Sequence, residues 1–256
     1  MMQSNLCPTG ETIWITGASS GIGRQLAINL AAAGNQVIVT ARNLEALKEL
    51  EMQHAGIRAL DMDISHSRCV APMTARLRDL TPVIDRLFIN AGACEYFEVN
   101  DPDWTMMERI MAVNYLGAVH CLAAALPLLK RANQGHIIAM ASQASRVPFP
   151  RAQAYGASKA ALTYLIESLG VDLADTPITT SIVQLGFVKT PMTAENDFPM
   201  PFAMTTEQTA ERLIAELMAR PRVIRFPRRL SGFISVARLF PAFWYQVVAP
   251  RLSRAS

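Results

Sequence analysis

A glycine-rich turn set between a strand and a helix limits what this chain can fold into more than any other stretch. Thr12-Ile13-Trp14-Ile15 reads as a buried strand, and Arg24-Gln25-Leu26-Ala27-Ile28-Asn29-Leu30-Ala31 is helical in pattern. Between them runs Thr16-Gly17-Ala18-Ser19-Ser20-Gly21-Ile22-Gly23. Glycines here let backbone amides approach a pyrophosphate at a helix N-terminus, where the helix dipole favours negative charge. The spacing is Gly-x-x-x-Gly-x-Gly, not the Gly-x-Gly-x-x-Gly of the dinucleotide fingerprint. Alone it carries little, because strand-to-helix loops use glycine anyway. Further β-rich runs follow at Gln36–Thr40, Ile57–Met62, Arg86–Ile89, His136–Met140 and Ile178–Leu185, separated by helical segments. That alternation implies an α/β chain with a parallel sheet covered on both faces. At 256 residues, 51% hydrophobic and 18% charged, the chain can bury one large core.

A second constellation supplies chemistry. Tyr155 and Lys159 lie four apart in Tyr155-Gly156-Ala157-Ser158-Lys159, so on a helix they share a face. An ammonium beside a phenol is expected to lower the phenol's pKa and make Tyr155 an acid/base near neutral pH. Ser142, at the end of the His136–Met140 run, can donate to the same substrate oxygen.

Taken together, the glycine turn, Asn90-Ala91-Gly92, Asn114, Ser142 and Tyr155-x-x-x-Lys159 strongly resemble the short-chain dehydrogenase/reductase family, in its order and at its spacings, over roughly residues 10 to 225. The resemblance implies a Rossmann-type doubly wound parallel sheet in a single domain, covering 1–226. A C-terminal apolar, Arg-rich helical extension follows at 227–256. It implies an oxidoreductase interconverting a carbonyl and an alcohol, with Tyr155 exchanging the proton and Lys159 tuning it and holding the nicotinamide ribose. Ser142 would polarise the carbonyl, and the Asn114 backbone carbonyl would anchor a water joined to the lysine. The cofactor would be met by Gly17, Ser19, Ser20, Gly21, Ile22, Gly23, Asp63, Ile64, Asn90, Ala91, Gly92, Tyr155, Lys159, Gly186, Val188 and Thr190. Asp63 would lie beside the adenine, although an aspartate there also suits a helix N-cap. Leu185 stands where the family usually has proline, a departure that costs the loop rigidity and leaves Gly186 and Thr190 in place.

Cofactor choice rests on the end of the second strand. No acid stands there to accept from a ribose hydroxyl, and Arg42 is placed to pair with a 2′-phosphate, so NADP(H) is favoured over NAD(H).

Met111–Leu129 is apolar enough over its length to raise a membrane span, but Asn114, His120 and Pro127 interrupt it, and it reads as a buried helix. By the resemblance this helix and the one carrying Tyr155 pair subunits into a homodimer or homotetramer. Pro191–Met204, with its prolines and methionines, reads as a substrate lid. Phe187, Phe198 and Phe202, with Phe97, Val147, Phe149 and Cys94, suggest an apolar pocket for a lipid-like substrate. Cys7, Cys69, Cys94 and Cys121 have no paired spacing, so neither zinc nor a disulfide framework is expected and reduced thiols in a cytoplasm fit better. Met1–Glu11 has no basic segment followed by an apolar core, so no signal peptide is expected.

Residues 220–256 hold eight arginines and no acid, while the first 219 residues carry 16 basic against 21 acidic residues. Arginines flanking Phe, Trp and Tyr after position 227 suit a helix on an anionic surface, such as the inner face of a membrane; a domain cap or subunit interface fits as evenly. Nucleic acid is not expected, since no recognition motif accompanies the arginines. An idle NAD(P)-sensing regulatory or scaffold protein of the same fold is the alternative to an enzyme, and retention of all four catalytic positions favours the enzyme.

Overall fold

The computed structural model describes residues 7–252. Five strands alternate with helices from the start: β1 Thr12–Thr16, α1 Gly21–Ala32, β2 Gln36–Ala41, α2 Leu44–Gln53, β3 Ile57–Asp61, α3 Val70–Leu80, β4 Arg86–Ile89, α4 Thr105–Met111, α5 Gly117–Leu129 and β5 His136–Ser142. Then come α6 Gln153–Asp172, β6 Thr179–Leu185, the short α7 Pro191–Ala194, α8 Thr206–Leu217, β7 Val223–Phe226 and α9 Arg228–Leu239. The strands form one parallel sheet in the order β3-β2-β1-β4-β5-β6-β7.

Strand residues alternate between two cores, as the two-residue period of a strand requires. Trp14, Leu87, Ile89, Ile137 and Ala139 join one core with Met73 and Leu77 of α3, Leu128 of α5 and Leu162 of α6. Ile13, Ile15, Val39, Phe88 and Ile138 join the other with Leu26 of α1, Leu47 of α2 and Leu213 of α8. Both sheet faces are therefore covered, which is why the strands read as continuous apolar runs.

Two elements lie outside the sequence expectation. β7 adds a short edge strand, and Arg225 on it donates to Gln184 Oε1 at 2.7 Å. α8 begins at a capping box, in which Thr205 and Gln208 satisfy each other's backbone amides. The Thr105–Leu129 helix is long and apolar enough to cross a bilayer by composition, but α5 lies within the core through Ala118, Cys121, Ala125 and Leu129. Its His120 donates through Nδ1 to the Ile64 carbonyl at 2.7 Å, as a core residue would.

The chain lays down β1, β2 and β3 outward, then returns to place β4 against the other side of β1. A crevice opens beyond the strand ends at that reversal, and the loops after β1, β4 and β5 meet there.

Candidate active site

Thr16 ends β1, and its hydroxyl, 3.2 Å from the Phe88 carbonyl, also accepts from the amides of Asn90 and Ala91. Asn90 then donates through Nδ2 to the carbonyls of Thr16 and Gly17, at 2.9 and 3.0 Å. The Asn-Ala-Gly segment thus buttresses the glycine turn. Gly17 has φ +69°, and a Cβ there would lie 2.6 Å from the Ala91 Cα; one at Gly23 would lie 2.4 Å from both the Gly17 oxygen and Asn90 Nδ2. Both positions require glycine. The first turn of α1 holds no acid, and Ser20 at its N-cap makes no side-chain cap bond. Those amides remain open to an anion.

The turn forms one end of a cleft of about 440 Å³. Gly17, Ser19, Ser20, Gly21, Ile22, Arg42, Asp63, Ile64, Asn90, Ala91, Gly92, Gly186, Val188 and Thr190 line it, with Ser142, Tyr155 and Lys159. Gly23 does not reach the cleft wall, since it is buried where α1 crosses the loop. Thr40, Asn43, Met192 and Thr193 also line it. No cofactor motif in the sequence marks these four. Arg42 is exposed at the cleft and shares its field with Asp63. Burial would raise the Asp63 pKa, but bonds from the Ser65 hydroxyl and amide, with the Arg42 charge, hold it below the usual carboxylate range. Gly186 has its own steric reason: a Cβ there would lie 2.7 Å from Leu230 of α9.

Tyr155 stands in the first turn of α6 and Lys159 one turn on, with the ammonium 5.8 Å from the phenol ring centre. Lys159 Nζ donates to the Met140 carbonyl of β5 at 2.8 Å. Burial pushes the lysine down to about 8. Burial also pushes Tyr155 up, to about 12, helped by Cys94 and opposed by a hydrogen bond with Ser142. The expected lowering of Tyr155 by Lys159 is therefore corrected. Desolvation dominates the phenol, and the ammonium is directed at a strand carbonyl.

Asn114 lies in a π turn, Ala112–Leu116, between α4 and α5. Its side chain is fully used: Oδ1 accepts from the Ala93 amide, and Nδ2 donates to the Ala93 carbonyl and the Ser158 hydroxyl. Only its backbone is left for chemistry, and a π turn is where helix backbone bonding is rearranged.

Beyond Tyr155 a second cavity of about 660 Å³ opens, and Ser142 and Tyr155 line both spaces. Cys94, Phe149, Phe187, Phe198 and Phe202 line it as expected from the sequence. Phe97 and Val147 do not. Phe97 is buried against Met106 and Trp104, and Val147 against Leu230 and Ile234, so both support the wall from behind. The far wall comes from the tail, through Phe233, Ile234, Trp244 and Val248. The Pro191–Met204 segment covers the cavity and is fastened to the body. Tyr96 donates to Asn196 Oδ1 at 2.5 Å, and Arg151 pairs with Asp197 and Glu98 at 2.7 and 2.6 Å while lying over the Tyr96 ring.

A doubly wound parallel sheet with a glycine-lined crevice at its switch point, opening onto half-buried Ser142 and Tyr155 beside the buried Lys159, defines a dinucleotide-binding protein of Rossmann type. Residues 11–199 match the family model for short chain dehydrogenases. An uncharacterized oxidoreductase of Myxococcus xanthus (strain DK1622) is 33% identical over 247 residues, covering 94% of this chain and 97% of that protein. Among solved structures, a short chain dehydrogenase from Burkholderia cenocepacia J2315 in complex with NADP superposes with a TM-score of 0.82 at 25% identity, covering 97% of this chain and all of that one. The RhlG/NADP active-site complex of Pseudomonas aeruginosa gives 0.79 at 25% identity, over 88% of this chain and 98% of its own. The protein belongs to the short-chain dehydrogenase/reductase family and is an oxidoreductase.

Proposed function

We propose that the protein is an NADP(H)-dependent reductase of apolar, lipid-like carbonyl compounds. One observation carries this reading. Ser142 and Tyr155, with Leu185, Gly186, Met192 and Thr193, line both the glycine-lined cleft and the apolar cavity. The open amides of α1 and the space kept by Gly17 fit a pyrophosphate, and two similar structures hold NADP. When bound, the nicotinamide would supply hydride to the carbonyl carbon. Ser142 donates to the carbonyl oxygen, Tyr155 delivers its proton there, and Lys159 orients the nicotinamide ribose. The Asn114 backbone supports proton resupply. Lining the second cavity with aromatic and methionine side chains favours an apolar substrate. A nucleotide sensor without turnover has no use for such a cavity beside Tyr155. As is common in the family, subunits are proposed to associate as a homodimer or homotetramer.

Screening aldehydes and ketones of rising chain length against NADPH and NADH tests the reading. NADPH should be consumed preferentially, and faster as the chain lengthens. Arg42→Asp should erase that preference, because a charge-assisted contact is worth about 1.5–3 kcal/mol, ten-fold or more in affinity. Equal use of both cofactors by the wild type would remove Arg42 from phosphate recognition.

The pH profile has a defined sign. Lys159 is pushed down to about 8, so its charged form is lost as pH rises through that value, while Tyr155, pushed up to about 12, stays protonated throughout. kcat/KM for NADPH, which reports the free enzyme, should be level below pH 7 and fall through about 8. A level profile to pH 10 would deny the ammonium a role in turnover.

A further inference from the structure

The tail has an apolar side that its role as a cavity wall does not use. Leu230, Ile234 and Ala237 of α9 are buried against the body, with Trp244. At 100° per residue the opposite face of the same helix carries Val236 and Leu239, 58 and 75% exposed, and Phe240, just past the helix end, is 60% exposed. Phe243 and Tyr245 continue this exposed surface past the bend. A water-facing helix side would normally be polar.

Charge selects what covers it. Arg228, Arg229 and Arg238 flank the apolar face, and among the described residues none makes an ion pair. Arg225 and Arg146 lie near enough to Arg238 to add to this basic surface: burial first, and then the charges of Arg225 and Arg238, hold the Arg146 guanidinium below its usual range. No acid occurs anywhere from 220 to 256, and Arg254 continues the set outside the described residues. A second copy docked on the same face across a two-fold axis would set these arginines against themselves. An anionic lipid surface would neutralise them and bury the aromatics between.

Geometry selects lying over crossing. α9 has 12 residues, a rise of about 18 Å against a hydrocarbon core of about 30 Å. The following stretch, Pro241–Leu252, turns from it by 112°, so the two do not add into one span.

We infer that α9 and the Pro241–Leu252 stretch form a docking surface for an anionic membrane, set at the apolar cavity so that a membrane-dissolved substrate passes into it. Phe233 connects the two, being half exposed on the outer surface and also part of the cavity wall. The docking itself stands on the surface alone; delivery of substrate rests on reading that cavity as the substrate pocket.

The test is co-sedimentation of the full chain with vesicles of phosphatidylglycerol and phosphatidylethanolamine, or of phosphatidylcholine alone. Binding is expected to the anionic vesicles at low salt, weaker at high salt, and at background on phosphatidylcholine. The triple variant Arg228→Gln, Arg229→Gln, Arg238→Gln should bind on the order of 100-fold more weakly. Val236→Asp with Leu239→Asp should lose binding while still reducing a short, water-soluble aldehyde, since neither residue lines the cofactor cleft or the apolar cavity. Because Tyr155→Phe should bind vesicles like wild type, a protein that docks but reduces nothing would overturn the enzymatic reading and leave the docking intact. Three results overturn the docking: no binding to anionic vesicles at low salt, equal binding to phosphatidylcholine, or an Asp pair whose defect is a smaller sedimenting species.

Discussion

Tyr155→Phe is expected to cut carbonyl reduction by at least 10²–10⁴-fold, the range of general acid catalysis, without weakening NADPH binding. Removing one oxygen leaves the ring in place beside Lys159 and leaves α6 unaltered, so the fold should hold. The phenol is buried and pushed up to about 12, which suits a group that must hold its proton until a substrate oxygen gains negative charge. Ser142 is tied to Ala144 as the cap of a short turn, with its hydroxyl accepting from that amide at 3.1 Å. It retains a proton to donate but is no substitute acid, given the ordinary reluctance of a hydroxyl to ionise. Steady-state kinetics together with a cofactor titration separates the two effects. A Tyr155→Phe protein with wild-type turnover would end the proposed mechanism.

Trp244→Ala is expected to destabilise the tail by about 3–5 kcal/mol, as for other large buried aromatics. Trp244 is nearly wholly buried and meets Phe149 edge-on at 5.3 Å and Phe233 at 6.4 Å, with Nε1 donating to the Pro148 carbonyl at 2.7 Å. Truncation leaves a void in the cavity wall and an unpaired carbonyl beneath it. The loss falls on one cavity only, since Trp244 has no part in the cofactor cleft. KM for long-chain carbonyls should rise while NADPH affinity stays unchanged, and limited proteolysis should cut near the bend at Pro241. An unchanged chain-length preference and an unchanged digestion pattern would show that the tail does not shape the pocket.

The parallel sheet was legible in the sequence because both its faces are buried, so its internal strands carry apolar runs such as Ile13-Trp14-Ile15, Val37-Ile38-Val39 and Ile137-Ile138-Ala139-Met140. β7 was not, because its four residues include an arginine and sit on the sheet edge, where pairing to β6 rather than composition makes the strand. The glycine turn, Asn90, Ser142, Tyr155 and Lys159 were readable as a set since loops at one switch point bring them together. The direction of the Tyr155 shift was not, because helical spacing places Lys159 nearby but says nothing about the Met140 carbonyl that captures its ammonium. Nor could spacing separate Phe149, which lines the cavity, from Phe97, which supports it from behind. The clasp of Arg151 on Glu98 and Asp197 joins positions 53 and 46 residues away, beyond any local pattern. The tail's aromatics were visible, but which of them face the body depended on the packing of α9.

Transfer of label tests the central claim most directly. The protein would be given NADPH carrying deuterium at the nicotinamide C4 and a long-chain aldehyde or ketone, and the alcohol product examined for deuterium at the carbinol carbon. The proposed function predicts one deuterium at that carbon, with transfer lost in Tyr155→Phe. If labelled NADPH binds but no carbonyl of any chain length gains deuterium, the protein is a nucleotide-binding member of its family without this activity.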